Sequence, residues 1–216
     1  MNNCLARISV ISVLSLLIVA CSSSPKLSGL NKEPISNWQG YDNPGQLKSY
    51  TEEALQKHGR DLLKTVPDDI EMYCPAYADA TRWERMQFWN RFISSLSYFE
   101  SNHKNQVWYQ ERFNDAQGRP VISRGLLQIS IESGNGYQCG LTNPQQLHDP
   151  KTNISCGVRI LNRWVGQRDK VVSGNTGWLF FSGSWLGAAR YWSPFRDEGK
   201  KQRIALATRD LPYCKS

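Results

Sequence analysis

Apolar side chains recur at helical spacing over much of the chain, and the longest such stripe predicts a helix over residues 81–100. Asp79 or Thr81 is suited to cap its first turn. A stripe this rich in aromatic residues is typical of a central core helix. Its apolar positions lie three or four residues apart, at Trp83, Met86, Trp89, Phe92 with Ile93, Leu96 and Phe99.

Shorter or less regular stripes predict four more helices. Their approximate ranges are 47–64, 150–165, 185–192 and 201–209. In the second of these, Asp149 followed by Pro150 is a typical cap and first helical residue. Ser184 is suited to cap the third.

The segment after the longest helix has a different pattern. Residues 106–112 and 121–122 flank a stretch of turn composition, Asn-Asp-Ala-Gln-Gly, at 114–118. This arrangement predicts a small β-hairpin. We therefore expect residues 46–216 to form one mainly α-helical domain with a single β-hairpin.

Residues 1–20 have the pattern of an export signal. The 13 apolar or small residues that follow Arg7 are too few to span a bilayer, which needs about 20. Residues 18–21, Ile-Val-Ala-Cys, resemble a bacterial lipobox, in which the signal is cleaved before Cys21 and this cysteine is lipidated. Ordinary secretion, with Cys21 incidental, is the alternative. Residues 21–45 have the Ser, Pro, Asn and Gly content of a flexible tether.

The residue after the lipobox and the net charge bear on location and partners. Position 22 is serine, whereas aspartate there would favour retention in the inner membrane. By analogy with bacterial lipoproteins, we expect a lipid anchor at the periplasmic face of the outer membrane, or a secreted periplasmic protein if Cys21 is unmodified. The formal net charge of +7 suits an anionic polymer such as peptidoglycan. Nucleic acid is disfavoured because the basic residues are scattered and the chain carries an export signal.

Four cysteines follow the processing region, at Cys74, Cys139, Cys156 and Cys214. An even number in an oxidising compartment predicts two disulfides, for which three pairings exist. We favour Cys139–Cys156, which closes a short loop, and Cys74–Cys214, which ties the start of the core to its end. A zinc site is the alternative, but no Cys-x-x-Cys occurs and no histidine adjoins these positions, so we expect no metal.

Glu100 is the candidate acid at the end of the longest predicted helix. Burial beside Phe99 and the partial negative charge of a helix C-terminus both disfavour an ionised carboxylate. A carboxyl group that stays protonated near neutral pH is suited to be the general acid that cleaves a glycosidic bond. The alternative is a solvated glutamate at a helix end.

Four segments, taken in order, resemble the soluble lytic transglycosylase family, which is related to goose-type lysozyme. They cover about residues 92–191, nearly half of the chain, and no single one is decisive. The first resembles the family's Glu-Ser pair, the second its Gly-Leu-Met-Gln segment, the third its Asp-Pro and Asn-Ile helix, and the fourth its Ala-Ala-Tyr-Asn segment. In this sequence they are Glu100-Ser101, Gly125-Leu-Leu-Gln128, Asp149-Pro150 through Asn153-Ile154 to Leu161, and Ala188-Ala-Arg-Tyr191.

The resemblance implies a lysozyme-like α-rich fold with the hairpin beside the active-site cleft, and a monomer without cofactor that acts on peptidoglycan strands. It implies that Glu100 is the catalytic acid and base. It further implies substrate contacts from Ser101, Gln128, Asn153 and Tyr191. From the residues alone, Gln128 is equally an exposed glutamine, and Asn153 is suited to satisfy backbone groups near a helix start.

The sequence departs from the family pattern at several points. The distance along the chain from Glu100 to Gly125 is longer, because it contains the predicted hairpin. Leu127 replaces a methionine, which is a tolerable apolar exchange. Trp192 replaces the asparagine after the tyrosine, and the following glycine is absent. This leaves Tyr191 open between a cleft residue and a core tyrosine.

The presence of a second carboxylate separates two reaction types. Hydrolysis uses a pair of carboxylates, and the hairpin offers Glu111 and Asp115. Asp115 lies in predicted turn sequence, where aspartate usually bonds locally. Without a partner, Glu100 acts twice and leaves a 1,6-anhydro sugar, which is the route that the resemblance implies.

The sequence therefore predicts a peptidoglycan lytic transglycosylase that cleaves the β-1,4 bond between N-acetylmuramic acid and N-acetylglucosamine. The alternatives are a hydrolytic muramidase of the same fold and a peptidoglycan-binding lipoprotein without activity. Aromatic residues near the four segments are either sugar-stacking or core residues. They are Tyr98, Trp108, Tyr109, Tyr137, Trp178, Phe180, Phe181, Trp185 and Trp192.

Overall fold

The computed structural model describes Trp38, residues 41–177 and residues 183–215. The described part is mainly helical and carries two small antiparallel sheets, which confirms the predicted fold class. The helices are α1 (Pro44–His58), α2 (Arg60–Lys64), α3 (Arg82–Ser101), α4 (Ile131–Gly136), α5 (Pro150–Leu161) and α6 (Glu198–Arg209). The strands are β1 (Trp108–Asn114), β2 (Pro120–Arg124), β3 (Ser173–Asn175) and β4 (Trp185–Gly187).

Helix α3 runs through the core and begins at a capping box. The Thr81 hydroxyl accepts a hydrogen bond from Glu84 N at 3.3 Å, and Glu84 Oε2 accepts one from Thr81 N at 2.7 Å. These two bonds satisfy backbone donors that the first turn leaves unpaired. The helix ends at Asn102, which adopts the left-handed conformation. Thr81, one of the two predicted candidates, is therefore the cap.

The buried face of α3 differs in part from the predicted stripe. Phe88, Trp89 and Phe92 are fully buried, and the Phe92 ring stacks on Phe195 with centroids 5.1 Å apart. Trp83 was predicted to be a core residue but lies in the first turn and is 55% exposed. Phe88, which the stripe omitted, is fully buried instead. Tight aromatic contacts of this kind add to the stability gained from burial alone.

The segment predicted as one helix over 47–64 is divided by Gly59 into α1 and α2. A Cβ atom at Gly59 would approach the Leu55 carbonyl oxygen to 2.8 Å, so the close turn requires glycine. The second helix has no cap of its own from Gly59. Its first backbone N–H groups, of Asp61 and Leu62, donate instead to Asn162 Oδ1, each at 2.9 Å.

Helix α5 continues into wider, π-helical turns at Asn162–Asp169, so the predicted helix over 150–165 is longer than expected. Gly166 in these turns lies against the backbone of α2, where a Cβ atom would come within 2.5 Å of Leu62 N. The helix thus packs directly on the start of α2, and Asn162 caps that start from a distant part of the chain.

The predicted hairpin is confirmed, with β1 shifted by two residues and β2 longer than predicted. β1 pairs with β2, with Trp108 opposite Arg124 and Tyr109 opposite Ser123. The predicted helix over 185–192 is wrong, because β4 and a short 3-10 turn occupy this segment. Gly187, at φ +59°, has a conformation that interrupts a helix, and its N–H donates to Asp169 Oδ2 at 2.7 Å.

Both favoured disulfides, Cys74–Cys214 and Cys139–Cys156, are present. Their Cα atoms are 4.6 and 5.3 Å apart, within the range that disulfide geometry allows. The first joins residues 140 positions apart and the second residues 17 positions apart. The longer loop removes more entropy from the unfolded chain in the loop-closure model.

Trp38 was placed in the flexible tether but is fully buried in the folded domain. Its backbone N–H donates to Ser94 Oγ at 2.6 Å and its indole N–H to Asn90 Oδ1 at 3.3 Å, both on α3. The predicted boundary at residue 46 is therefore too late. The predicted signal peptide, residues 1–20, and Cys21 lie outside the described residues. Within the described part, no helix is long and apolar enough to cross a membrane.

Candidate active site

Glu100 lies in the last turn of α3 and keeps part of its side-chain surface open to solvent. Burial raises the pKa of its carboxyl group to about 7, with a further contribution from the negative charge of Glu111. The positive charges of Lys200 and Arg196 act in the opposite direction. Near neutral pH, this carboxyl group is therefore protonated in a large fraction of the molecules. The burial that the sequence predicted for Glu100 is the largest cause of its raised pKa.

Glu111 lies on β1, and its Oε1 atom accepts a hydrogen bond from the Ser123 hydroxyl at 2.6 Å. Tyr109 is paired with Ser123 across the hairpin, so Tyr109, Ser123 and Glu111 share one face of the two strands. This face brings the Glu111 carboxylate within electrostatic reach of Glu100. The hairpin thus supplies a second carboxylate to the end of the core helix.

Asp115, the other candidate, has a local role in the hairpin turn. Its carboxylate accepts hydrogen bonds from the backbone N–H groups of Gln117 and Arg119, at 2.9 and 2.8 Å. It also pairs with the Arg119 guanidinium at 2.7 Å. These bonds lower the pKa of Asp115, with the Arg119 backbone bond as the largest cause. Asp115 is therefore a turn residue, as expected from its place in turn sequence.

The segment Gly125–Gln128 forms a tight turn that links β2 to α4. Gly125 has φ +75°, and a Cβ atom there would collide with the Leu147 carbonyl oxygen and come within 2.5 Å of Asn153 Nδ2. Only glycine fits this position, since both the conformation and the space exclude a side chain. On the other side, Gly157 of α5 leaves room for the Leu127 side chain, which a Cβ atom would strike.

Asn153 holds this turn in place from beneath. Its Nδ2 atom donates to the carbonyl oxygens of Arg124 and Leu147, and its Oδ1 atom accepts from Leu127 N, all at 2.9 Å. The side chain is fully buried. The predicted substrate contact from Asn153 is therefore wrong, because each polar atom is bonded to the backbone and none reaches solvent. The structure shows the alternative role of Asn153, in which its side chain satisfies backbone groups.

Two further residues hold the same turn. The Ser101 hydroxyl lies 2.9 Å from the Leu126 carbonyl oxygen and 3.0 Å from that of Ser97. The Trp192 indole N–H donates to the Leu127 carbonyl oxygen at 2.9 Å. Ser101 and Trp192 are both buried. Ser101 thus positions the turn instead of contacting substrate as predicted. Trp192, which departs from the family pattern, also positions the turn.

Gln128, the last residue of the turn, is only half-buried and has φ +45°. Its amide group donates to the Gly125 carbonyl oxygen at 2.8 Å and lies 3.4 Å from that of Val107. Among the described residues, none donates to its Oε1 atom, so an acceptor stays free. Gln128 is therefore the predicted binding residue whose exposure and free acceptor best suit contact with a ligand.

Tyr191 lies at the boundary between the core and the site. Its hydroxyl group makes hydrogen bonds with the Ser133 side chain and the Ser130 backbone at the start of α4. Burial raises the pKa of this hydroxyl, and the negative charge of Glu100 contributes a smaller part. The side chain is partly exposed, and its predicted contact with substrate stays a prediction.

Comparison with known proteins identifies relatives among solved structures. No protein-family model matches the chain, and no curated protein matches it. The wild-type form 2 structure of Bd0314 DslA is 40% identical, covers 85% of this chain and 100% of that chain, and gives a TM-score of 0.77. Two structures of single glutamate-to-glutamine variants of Bd0314 DslA are 41% identical, with TM-scores of 0.77 and 0.76. The chain belongs to the DslA family.

The aromatic residues of this DslA family member differ in exposure. Trp108 and Tyr109 are 64% and 51% exposed on β1, and Phe113, which sequence reasoning missed, is 62% exposed on the same strand. Trp192 is buried in the core, and Tyr137 packs edge-on against Tyr191 at 6.0 Å. Trp185 is 38% exposed on β4, and the Tyr98 ring lies 5.8 Å from that of His103. The predicted aromatic residues at 178, 180 and 181 lie outside the described residues.

The structure thus brings Glu100 and Glu111 together beside the Gly125–Gln128 turn, and it places exposed aromatic rings on the strand that carries Glu111. Within residues 41–177 and 183–215, no group of three or more His, Cys, Asp or Glu side chains is arranged to hold a metal ion. A protonated carboxyl group within electrostatic reach of a carboxylate is suited to acid–base chemistry on a neutral bond between two sugars.

Proposed function

We propose that this protein cleaves the β-1,4 glycosidic bond between N-acetylmuramic acid and N-acetylglucosamine in peptidoglycan. One observation carries the proposal: the Glu100 carboxyl group, with a pKa of about 7, lies within electrostatic reach of Glu111 at a partly open site. A general acid for glycoside cleavage must hold its proton at the working pH and deliver it to the leaving oxygen. Glu100 meets the first condition, and its partial exposure permits the second.

In this mechanism, the Glu100 carboxyl group donates its proton to the glycosidic oxygen as the bond to the sugar C1 atom breaks. Positive charge then develops on the sugar ring. The Glu111 carboxylate, held by the Ser123 hydroxyl, is suited to stabilise that charge or to accept a proton from attacking water. The exposed rings of Tyr109 and Phe113 offer apolar faces on which sugar rings can stack.

The solved relatives support a role for both glutamates. In Bd0314 DslA, two glutamates that are 11 positions apart have each been replaced by glutamine. Glu100 and Glu111 are also 11 positions apart in this chain (111 − 100). At about 40% identity over the whole of the relative, this equal spacing supports the assignment of the pair as equivalent residues.

The second carboxylate favours hydrolysis, because it gives the reaction a base for water other than Glu100. The product would carry a free reducing end, as for a muramidase. Lytic transglycosylation is the second candidate, supported by the resemblance of the Glu-Ser and Gly-Leu-Leu-Gln segments to the soluble lytic transglycosylase family. In that route, Glu100 takes back a proton from the C6 hydroxyl of the muramyl residue, and the product has a 1,6-anhydro end.

Mass spectrometry of digested cell-wall sacculi tests the proposal and separates the two routes. Borohydride reduces the free ends left by hydrolysis and leaves 1,6-anhydro ends unchanged. Reduced ends would favour the muramidase, and anhydro ends the transglycosylase. Absence of cleavage by folded protein, with binding to sacculi retained, would instead favour a peptidoglycan-binding lipoprotein and contradict the proposed activity.

We infer in addition that the mature protein is anchored by lipid at Cys21 and acts at the periplasmic face of the outer membrane. The lipobox-like residues 18–21 and the short apolar run before them support this inference. The folded domain includes Trp38, so at most about 16 residues separate Cys21 from it. If this segment is the tether that its composition predicts, a flexible chain of that length would span roughly 20–24 Å on average, and the domain would act on the wall close to its membrane.

A further inference from the structure

A pocket of about 500 Å³ lies where the end of α1, the start of α2 and the α5 helix with its π-helical extension meet. Its volume lies within the range of sites that bind small molecules or groups of that size. The residues that form its charged wall come from three separate elements. They are Lys57, His58, Arg60, Asp61, Arg159 and Arg163.

The pocket has an excess of positive charge. Among the described residues, Asp61 is the only acidic one that lines it, and this carboxylate lies 3.4 Å from the Arg60 guanidinium. Asp61 also accepts hydrogen bonds from Gln167, at 2.7 Å, and from Asn162. Within the described residues, Lys57, Arg159 and Arg163 have no ion pair with a carboxylate. The charge of Lys57 acts on Glu53 at longer range, and Arg163 donates to the neutral side chain of Gln167 at 3.4 Å. The three cations therefore keep a net positive charge that attracts an anion.

His58 holds the Arg159 guanidinium group in place without neutralising its charge. Arg159 Nη2 lies 3.3 Å from His58 Nε2. Because a guanidinium group has only donors, the histidine nitrogen must be the acceptor, and the imidazole ring is neutral in this arrangement. An arginine held by a neutral ring keeps its full charge and a defined direction, which is the state suited to bind a carboxylate.

Tyr137 connects this pocket to the candidate active site. The residue lines the pocket, and its ring packs against that of Tyr191 at 6.0 Å. Its hydroxyl accepts a hydrogen bond from the Trp164 indole N–H at 2.6 Å, which holds the ring in place. Tyr191 in turn lies within the electrostatic reach of Glu100. Tyr137 therefore lies between the basic pocket and Tyr191, the residue on which the Glu100 charge acts.

We propose that the basic pocket binds the carboxylate groups of the peptide carried by the muramyl residue of the substrate. The inference rests on the proposed function, because it takes peptidoglycan as the polymer that occupies the cleft. Peptide carboxylates match the arginine and lysine groups in charge, and a guanidinium group can bind a carboxylate through two parallel hydrogen bonds. The pocket would then make the enzyme prefer glycan strands that still carry their peptides.

The test uses the double variant Lys57→Gln/Arg163→Gln, which removes two of the unpaired charges. The matched control, Arg82→Gln/Arg209→Gln, removes two exposed charges that do not line the pocket. Cleavage is measured on glycan strands with peptides and on strands from which an amidase has removed them. For the pocket variant, we expect KM on the peptide-bearing strands to rise about tenfold or more, with kcat unchanged. KM on bare glycan, and both values for the control, should stay at the wild-type level.

A second measurement keeps the test independent of the proposed activity. Binding of the free wall peptide, without glycan, is measured by calorimetry, with inorganic phosphate and an amidated peptide lacking free carboxylates as competitors. Binding by wild type that is lost in the pocket variant, and not reproduced by the amidated peptide, supports the proposal even if no glycan is cleaved. No binding by wild type, equal effects on both glycan types, or phosphate that competes as well as the peptide would each overturn it.

Discussion

The Glu111 carboxylate lies within electrostatic reach of Glu100 and raises the pKa of that already buried carboxyl group. The two residues come from the end of the core helix and from the hairpin that follows it. Their proximity gives one site both a carboxyl group that retains its proton near neutral pH and a carboxylate bonded to Ser123.

Replacement of Glu100 by glutamine should abolish most glycan cleavage. Glu100→Gln keeps the size of the side chain and removes its proton, so activity on sacculi should fall by about 10²–10⁴-fold, the range for general acid–base catalysis. Glu71→Gln, at an exposed position, is the matched control and should retain activity. A folded Glu100→Gln protein with most of its activity would show that another group is the acid.

Glu111→Gln should move the pH dependence of any residual activity. Loss of the negative charge lowers the pKa of Glu100, and the protonated acid is lost as the pH rises through that pKa. The alkaline limb of the kcat/KM profile should therefore shift to lower pH. Asp115→Asn removes a carboxylate from the same hairpin and should leave that limb in place. An unchanged limb in Glu111→Gln would contradict the coupling of the pair.

Glu100 should make the folded protein less stable above neutral pH. The folded-state pKa of about 7 exceeds the ordinary value of 4.5, so between these values the folded state binds more protons than the unfolded state. The free energy of unfolding should decrease as the pH rises through this window, by up to about 3 kcal/mol. Denaturant titrations at pH 4 and pH 8 should show that Glu100→Gln is stabilising mainly at pH 8. Equal effects at both pH values would contradict the raised pKa.

Asn153→Ala should destabilise the domain and disorder the Gly125–Gln128 turn. The substitution leaves the Leu127 N–H group and the Arg124 and Leu147 carbonyl groups without their side-chain partner. Loss of partners for buried polar groups costs about 2–4 kcal/mol here. Urea denaturation measures this loss, with the exposed Asn114→Ala as the control. If Asn153→Ala reduced substrate binding alone and left stability unchanged, its positioning role would be wrong.

Cys21→Ser should release the protein from membranes. If Cys21 is acylated, the native chain should sediment with membranes and survive a salt wash, since two acyl chains hold stably where one holds marginally. The serine variant should not be processed at that site. Mass spectrometry of the mature N-terminus is the direct measurement. An unmodified cysteine in a salt-released wild-type protein would favour the alternative of ordinary secretion.

Several features could be predicted from the sequence because they depend on neighbours within a few residues. The cap of α3 requires Thr81 and Glu84, three positions apart, and the hairpin turn requires Asp115 and the residues that follow it. The helical period of α3 likewise predicted most of its core face. Glu100 was identifiable from its place after that stripe and from the order of motifs around it.

Other features depended on contacts between residues far apart in the chain, which no local pattern encodes. Asn153 was predicted to meet substrate, yet α5 carries it beneath the turn at Leu127, 26 positions away, where it satisfies the backbone. Trp38 was assigned to the tether from the composition around it. In the structure, its two N–H groups donate to side chains of α3.

The choice between Glu111 and Asp115 also required the tertiary structure. Both lie in one hairpin, and only the folded arrangement shows that the Glu111 charge acts on Glu100 while Asp115 bonds within its own turn. The sequence by itself thus determined most of the helices, the hairpin and Glu100 as the candidate acid, because helical period and turn chemistry are local. It left three cysteine pairings open, of which the structure has the favoured one. Only the tertiary structure decided which polar residues face the site and which support it, because burial and hydrogen bonding between distant segments set those roles.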